Sequence, residues 1–318
     1  MTAPSHILVV GAGAWGTALA VQCARAGHQV TLWARNPAPI AATRQNARLP
    51  GVTLPDTVTV TGAIPAAADA VLLVTPVQHL RAALGLTLPA APWVLCMKGL
   101  EAGSNLFPAE IVRSLHPAAA SAILTGPNFA HEIAAGLPAA AVLACADSVL
   151  RGRLTSLLGT RNFRLYGSAD PIGAQVGGAA KNVIAIAAGV AIGAGLGENA
   201  RAALVTRGLA EIARLAVALG GRAETVAGLS GMGDLMLTCA GAASRNYRLG
   251  LAIGGGADPQ AALAGMKAAV EGVMAAPALL ARSAGDSPVI HAVSRLLAGE
   301  DDVATAMATL LARPGREE

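Results

Sequence analysis

The chain has 318 residues, a formal charge of +4, and a composition that is 54% apolar but only 3% aromatic, much of the apolar share being Ala and Gly. Such a composition argues for close helix packing and against a membrane protein, since the longest uncharged stretch after mid-chain, 182–197, is too short and too weakly hydrophobic for a span. No basic run interleaved with aromatics points to nucleic acid, no basic segment precedes the first apolar run as in a signal peptide, and Cys23, Cys96, Cys145 and Cys239 are scattered without C-x-x-C, which fits a reducing cytoplasm.

Residues 6–10 form a short apolar run that leads into Gly11-Ala12-Gly13-Ala14-Trp15-Gly16, followed by a helical stretch at 17–26 and a second apolar run at 29–35. In that strand, loop, helix, strand setting, G-x-G-x-x-G marks a dinucleotide site. Gly11 allows the tight turn, Gly13 lets a pyrophosphate approach the backbone, and Gly16 lets helix pack on strand. The helix start then holds the phosphates. An NAD-selective fold usually carries a carboxylate about 20 residues further on. Here the strand end reads Trp33-Ala34-Arg35, and the first acid in the chain is Asp56. Arg35 is placed to meet a 2′-phosphate, so NADP(H) is expected to be preferred over NAD(H). Arg25, Arg35, Arg44 and Arg48 carry the positive excess of this acid-free opening, which suits a small anionic ligand.

Further apolar runs follow at 57–61, 70–76, 93–99, 120–127, 139–146 and 162–168. Unbroken strands joined by helices indicate a mostly parallel sheet covered on both faces, the later strands being open to mixed direction. The character changes near Ser168. Beyond it come Ala-rich helical segments at 173–195, 199–219, 223–229, 258–283 and 289–298, punctuated by Gly220-Gly221 and Gly254-Gly255-Gly256. The fold is read as α/β: a Rossmann-type dinucleotide-binding domain over 1–168 and an all-helical substrate and catalytic domain over 169–318. Helices so rich in Ala and Gly also fit a homodimer.

Positive charge is almost all arginine; the lysines are Lys98, Lys181 and Lys267. Arginine keeps its proton at neutral pH, whereas a buried lysine can release one. Lys181 sits in the apolar run GGAAKNVIAI, and an ammonium there must be paired or lose its charge. It can protonate a carbonyl oxygen during hydride transfer, or else lie as a snorkelling surface lysine. Asp234, an acid among glycines and large apolar groups, can orient and balance Lys181, or simply cap the helix after it. Ser244, Arg245 and Asn246 precede a helical run and form a phosphate cradle, or a plain cap beside a solvated arginine. Lys98-Gly99 and Gly126-Pro127-Asn128 end strands on the side where open α/β sheets bind ligands. His131-Glu132 begins like H-E-x-x-H, but position 135 is Ala, so no metal site is expected.

Taken in order, VVGAGAWGTALA (9–20), MKGLE (97–101), LTGPNFAHE (124–132), GGAAKNVIAIAAG (177–189), ENARAALVTRGLAE (198–211), GMGDLMLTC (231–239) and SRNYRLG (244–250) closely resemble the bacterial NAD(P)-dependent glycerol-3-phosphate dehydrogenases. The resemblance runs over roughly 6–300 and implies interconversion of sn-glycerol 3-phosphate and dihydroxyacetone phosphate, supplying phospholipid synthesis. It implies that Lys181 is the proton-transfer residue. Lys98, Gly126, Asn128, Lys181, Asp234, Ser244, Arg245 and Asn246 fall at substrate positions. Trp15, Arg35, Lys98, Ala130, Arg245 and Glu271 fall at cofactor positions, beside the loop glycines Gly11, Gly13 and Gly16. Asn182 and Thr238 match nearby polar positions. Asn128 stands where the family often carries a small hydroxyl residue, and the segment around Glu271 reads as ordinary helix. Without the phosphate cradle, the same residues would fit another two-domain hydroxyacid dehydrogenase; without Lys181 and Asp234, a noncatalytic NADP(H) sensor.

Overall fold

The computed structural model describes residues 4–266, 269–283, 285 and 287–311; Lys267 lies outside them. The chain forms two compact units, one of 1–98 and 106–171, the other of 99–105 and 172–318. The strands are β1 (His6–Val10), β2 (Gln29–Trp33), β3 (Gln45–Asn46), β4 (Leu49–Thr53), β5 (Val58–Thr61), β6 (Ala70–Leu73), β7 (Trp93–Leu95), β8 (Ser121–Thr125), β9 (Ala139–Ala144) and β10 (Phe163–Ser168). Helices α1 (Ala14–Arg25), α2 (Ala38–Thr43), α3 (Leu80–Leu84), α4 (Pro108–Leu115), α5 (Ala130–Ala135) and α6 (Ser148–Leu158) accompany them.

Eight strands form one sheet in the order β10-β9-β8-β7-β6-β1-β2-β5. Every pairing is parallel except β8 with β9, so the mixed direction expected of the later strands falls at one place. The inner strands are buried on both faces: β6 reads Ala-Val-Leu-Leu with every residue covered, as a parallel sheet between helices requires. The chain runs from β1 outward to β2 and β5, then returns to β6 on the other side. The β1–β6 junction is therefore the topological switch point, where open α/β sheets hold ligands. The β3–β4 hairpin, a separate two-stranded antiparallel sheet, has no counterpart in the sequence reading.

Among its described residues the second unit has helices and no strand, residues 99–105 being turn and loop: α7 (Pro171–Gly193), α8 (Gly197–Ala218), α9 (Ala223–Ala227), α10 (Asp234–Cys239), α11 (Arg245–Gly254), α12 (Pro259–Ala264), α13 (Glu271–Arg282), α14 (Pro288–Ala298) and α15 (Val303–Leu311). The single helix expected over 258–283 is two helices. Gly265 ends α12, and Val270 is extended (φ −104°, ψ 98°), so Glu271 opens α13 rather than lying within a helix. α7 has 23 residues, as many as the helical segment expected at 173–195 but set two residues earlier, and is long and apolar enough to cross a membrane, as the uncharged stretch 182–197 alone is not; 89% of its most apolar window is buried inside the protein.

Small residues let α7 and α11 touch through their backbones. A Cβ on Gly189 would lie 2.2 Å from the Tyr247 carbonyl oxygen, and one on Gly193 2.3 Å from that of Leu251. Reciprocally, Cβ atoms on Gly250 and Gly254 would lie 2.0 Å and 2.3 Å from the carbonyl oxygens of Ile186 and Val190. Each helix thus carries a G-x-x-x-G pair on the face that meets the other, which fixes where α11 begins relative to the middle of α7.

Candidate active site

The glycine loop leaves β1 at the switch point. Gly11 has φ +118°, and a Cβ there would stand 3.0 Å from the carbonyl of Val74, just past β6. That backbone conformation excludes L side chains at low cost. Gly16 lets α1 close on the loop, since its Cβ would fall 1.8 Å from the Gly11 oxygen. Gly13 caps α1 with no side-chain cap, and a Cβ on it would meet nothing within 4 Å. The loop therefore presents an open backbone face at a helix start, the shape that a dinucleotide pyrophosphate needs. Nearby, the Thr75 hydroxyl is buried without a hydrogen-bond partner. These features fit a bound NAD(P).

Trp15 is half-buried in the first turn of α1, and Arg35 is exposed two residues past β2. The other arginines of the opening divide. Arg25 donates to the carbonyls of Ile133 and Ala134 at 3.1 and 2.7 Å. Arg44, in the left-handed region at φ 57°, donates to the carbonyls of Val58, Leu54 and Pro55. Arg48 and Arg35 are exposed. The local excess of charge is thus partly structural. Half of it, Arg25 and Arg44, ties backbone carbonyls together, as guanidinium forks can, Arg25 doing so while exposed like Arg35 and Arg48.

After β7, the Lys98 ammonium donates to the Gly126 carbonyl at 3.1 Å, bringing two predicted substrate residues together. Gly126 has φ +136° and would, with a Cβ, press within 3.1 Å of the Ala141 Cα. Beside it both polar atoms of the Asn128 amide are buried with no partner. An unsatisfied buried amide costs about 1–3 kcal/mol, an expense that a ligand at this position would relieve. Ala130, the first residue of α5, is half-buried. His131 is exposed and Glu132 half-buried, their side chains 3.9 Å apart.

In the second unit, Lys181 lies in α7 at 7% exposure, and Asp234, the first residue of α10, at 0%. Their side chains meet at 2.5 Å, and Lys181 also donates to the Thr238 hydroxyl at 2.8 Å. That hydroxyl in turn donates to the Asp234 carbonyl at 2.6 Å. A buried ion pair needs such extra hydrogen bonds to offset desolvation. Asp234 reaches Lys181 because a π-helical turn, Leu229–Gly233, precedes it. On α7, one turn before Lys181, a Cβ at Gly177 would lie 2.7 Å from the Ser230 oxygen. Glycine there brings the turn against α7. π turns recur at functional sites. Next in the chain, Cys239 is buried, which pushes its thiol up to about 12 against the lowering pull of Lys181 and Arg201.

α11 begins at the predicted phosphate cradle. Ser244 is its N-cap, accepting from the Tyr247 N–H at 3.3 Å, so the hydroxyl has a capping role as well. Arg245 is exposed, whereas Asn246 is buried and bonded on both ends of its amide. Its Nδ2 donates to Asn182 Oδ1 at 2.9 Å, and its Oδ1 accepts from the Gly272 N–H at 3.0 Å. Asn182 Nδ2 donates to Glu271 Oε2 at 3.2 Å. Two amides thus tie α7 and α11 to the first residues of α13. Thr238 and Asn182, which the sequence marked only as nearby polar positions, lie inside this hydrogen-bonded constellation. The π turn had no sequence signal beyond its glycines.

Two family profiles match: NAD-dependent glycerol-3-phosphate dehydrogenase N-terminus over residues 6–150, and its C-terminus over 170–308. The NAD(P)+ glycerol-3-phosphate dehydrogenase of Gluconobacter oxydans is 54% identical over 325 aligned positions, and that of Acidiphilium cryptum 56% over 326, each alignment covering 100% of both chains. The crystal structure of glycerol-3-phosphate dehydrogenase from Coxiella burnetii is 35% identical, with a TM-score of 0.92 over 98% of this chain and 99% of that one.

Proposed function

The chain belongs to the NAD-dependent glycerol-3-phosphate dehydrogenase family, and from that premise we propose how its residues carry the reaction. The enzyme interconverts dihydroxyacetone phosphate and sn-glycerol 3-phosphate with NAD(P)H, feeding glycerophospholipid synthesis. The observation that carries the residue assignment is the buried Lys181–Asp234–Thr238 cluster.

Reduction of the ketone adds one hydride to its carbon and one proton to its oxygen. The bound dihydronicotinamide supplies the hydride. Lys181 supplies the proton from its ammonium, becoming a neutral amine that solvent recharges. Asp234 and Thr238 hold the Lys181 nitrogen in one orientation, and Asp234 keeps it cationic until the transfer. Ser244, Arg245 and Asn246 hold the substrate phosphate, with Asn246 itself fixed through Asn182. Lys98, Gly126 and the Asn128 amide offer further polar contacts to the substrate, and Lys98 also to the cofactor. The loop glycines Gly11, Gly13 and Gly16, with Trp15 and Ala130, hold the dinucleotide, and Arg35 selects its 2′-phosphate, giving a preference for NADP(H). Arg245 and Glu271 complete the cofactor contacts. The working form is read as a cytoplasmic homodimer, supported by the scattered thiols and the Ala- and Gly-rich helices; sedimentation of the purified protein at twice the chain mass is the expected result.

Oxidation of NADPH by dihydroxyacetone phosphate tests the reading directly, as loss of nicotinamide absorbance. Lys181→Ala should lose about 10²–10⁴-fold in kcat, the usual share of general acid catalysis. Because that change leaves the buried Asp234 carboxylate unpaired, Lys181→Arg is the cleaner companion. It keeps a cation beside Asp234 but holds no proton that leaves at neutral pH, so it should fold, bind NADPH and turn over as poorly as the alanine variant. More than about a tenth of wild-type kcat in the arginine variant would remove Lys181 from the proton-transfer role.

A further inference from the structure

The β3–β4 hairpin has no part in the site as assigned, yet one of its side chains reaches the glycine loop. Asn46 is buried at 4% exposure, and its Nδ2 donates to the Ala12 carbonyl at 3.0 Å and to the Thr17 hydroxyl at 2.7 Å. Its Oδ1 accepts from the Arg48 N–H at 3.0 Å, which fixes the amide the right way round. Arg44, two residues earlier, pins the same hairpin to the chain leading into β5 through the carbonyls of Leu54, Pro55 and Val58. The donor is thus carried on a braced element.

A trans peptide is planar, and its C=O and N–H point in opposite directions. Holding the Ala12 oxygen therefore sets the direction of the next N–H, that of Gly13, the residue that caps α1 and whose side-chain direction is open. Thr17 lies one turn into α1 and donates its N–H to the Gly13 carbonyl at 2.9 Å. The two bonds from Asn46 consequently grip both flanks of Gly13. We infer that Asn46 is a positioning residue for the dinucleotide, holding the Ala12–Gly13 peptide so that the Gly13 N–H faces the pyrophosphate. This rests on the cofactor reading above. It concerns the bridging phosphates and not the adenosine end, where Arg35 acts.

That division supplies the test. Calorimetric affinities for NADPH, NADH and adenosine 2′-monophosphate, which lacks both bridging phosphates, are measured on wild-type protein, Asn46→Ala and the near-isosteric Asn46→Leu. The expected result is a loss of about tenfold for both dinucleotides, the scale of one or two neutral hydrogen bonds, with adenosine 2′-monophosphate bound as by wild type. At saturating NADPH, kcat and the KM for dihydroxyacetone phosphate should stay within about twofold of wild type. Equal losses for all three ligands would make Asn46 a support of the whole unit and overturn the inference, as would dinucleotide affinities unchanged in both variants. If wild-type protein bound neither dinucleotide, the cofactor reading would fall and this inference with it.

Discussion

Arg35 differs from the arginines around it in what it touches. Arg25 and Arg44 have their guanidinium groups on backbone carbonyls, so removing either would disturb packing before it disturbed a ligand. Arg35 stands exposed past the end of β2, where the ribose of a dinucleotide on the Gly11–Gly16 loop is expected. A charge-assisted hydrogen bond to phosphate contributes about 1.5–3 kcal/mol, or about 10- to 150-fold in affinity. Arg35→Ser should therefore lower kcat/KM for NADPH by that factor and leave NADH nearly unchanged, with the melting temperature unaffected. Steady-state kinetics with the two cofactors check it. Parallel losses for both would mean that Arg35 acts on something other than the 2′-phosphate. The same contrast explains why charge counting over the opening segment overstated the ligand-facing excess: the sequence shows where cations are, but not which carbonyls their side chains can reach.

At the scale of elements, the second unit depends on how closely α11 lies on α7. A methyl group on Gly250 would stand 2.0 Å from the Ile186 oxygen, with backbone on both sides and no flexible side chain to yield. Gly250→Ala must push α11 away. Overpacking of this kind costs at least about 1–3 kcal/mol, which lowers the melting temperature by several degrees in a chain of this size. Since Asn246 sits in the first turn of α11, the KM for dihydroxyacetone phosphate should rise as well. Gly241→Ala, where a Cβ meets nothing within 4 Å, is the control and should change neither. Calorimetry and initial rates on the pair decide whether the glycine stripe places the cradle. The elements that carry the site differ in how readable they were. β1, the loop and α1 were legible because a buried parallel strand, three spaced glycines and a helix make one local pattern. The break before Glu271 was not, because a run of Ala residues favours helix on both sides of it and the extended Val270 has no signature of its own. β3 escaped notice because a two-residue strand has no periodicity, and with it Asn46, whose bonds reach residues 34 and 29 positions away. Lys181 and Asp234 stood out singly as charges among apolar neighbours; Thr238 joins Asp234 by lying four residues on in α10, but that this helix meets α7 follows the π turn before it, which no spacing rule anticipates.

Across the whole molecule, a core of small side chains leaves few large groups to cover reactive ones, yet all four cysteines are buried. Burial pushes the Cys23 and Cys239 thiols up to about 12, raises Cys96 well above its usual value, and raises Cys145 as well. The sign follows from which form burial favours. Folding stabilises the neutral thiol, so the contribution is fully present below the unfolded thiol pKa, about 8.5, and is lost as pH rises through the folded values toward 12. Two consequences can be measured. At pH 8 a chromogenic disulfide reagent should find essentially no fast-reacting thiol in the native protein and all four in denaturant, because the attacking species is the thiolate. Between about pH 9 and 12, denaturant midpoints should fall steadily with pH, and replacing Cys23 and Cys239 together by Ala should flatten that slope while lowering the midpoint at pH 7. A native thiol that reacts within seconds at pH 8 would show a cysteine held as thiolate, and would mean that burial does not outweigh the lowering pull of Lys181 and Arg201 on Cys239 or of Arg151 on Cys145.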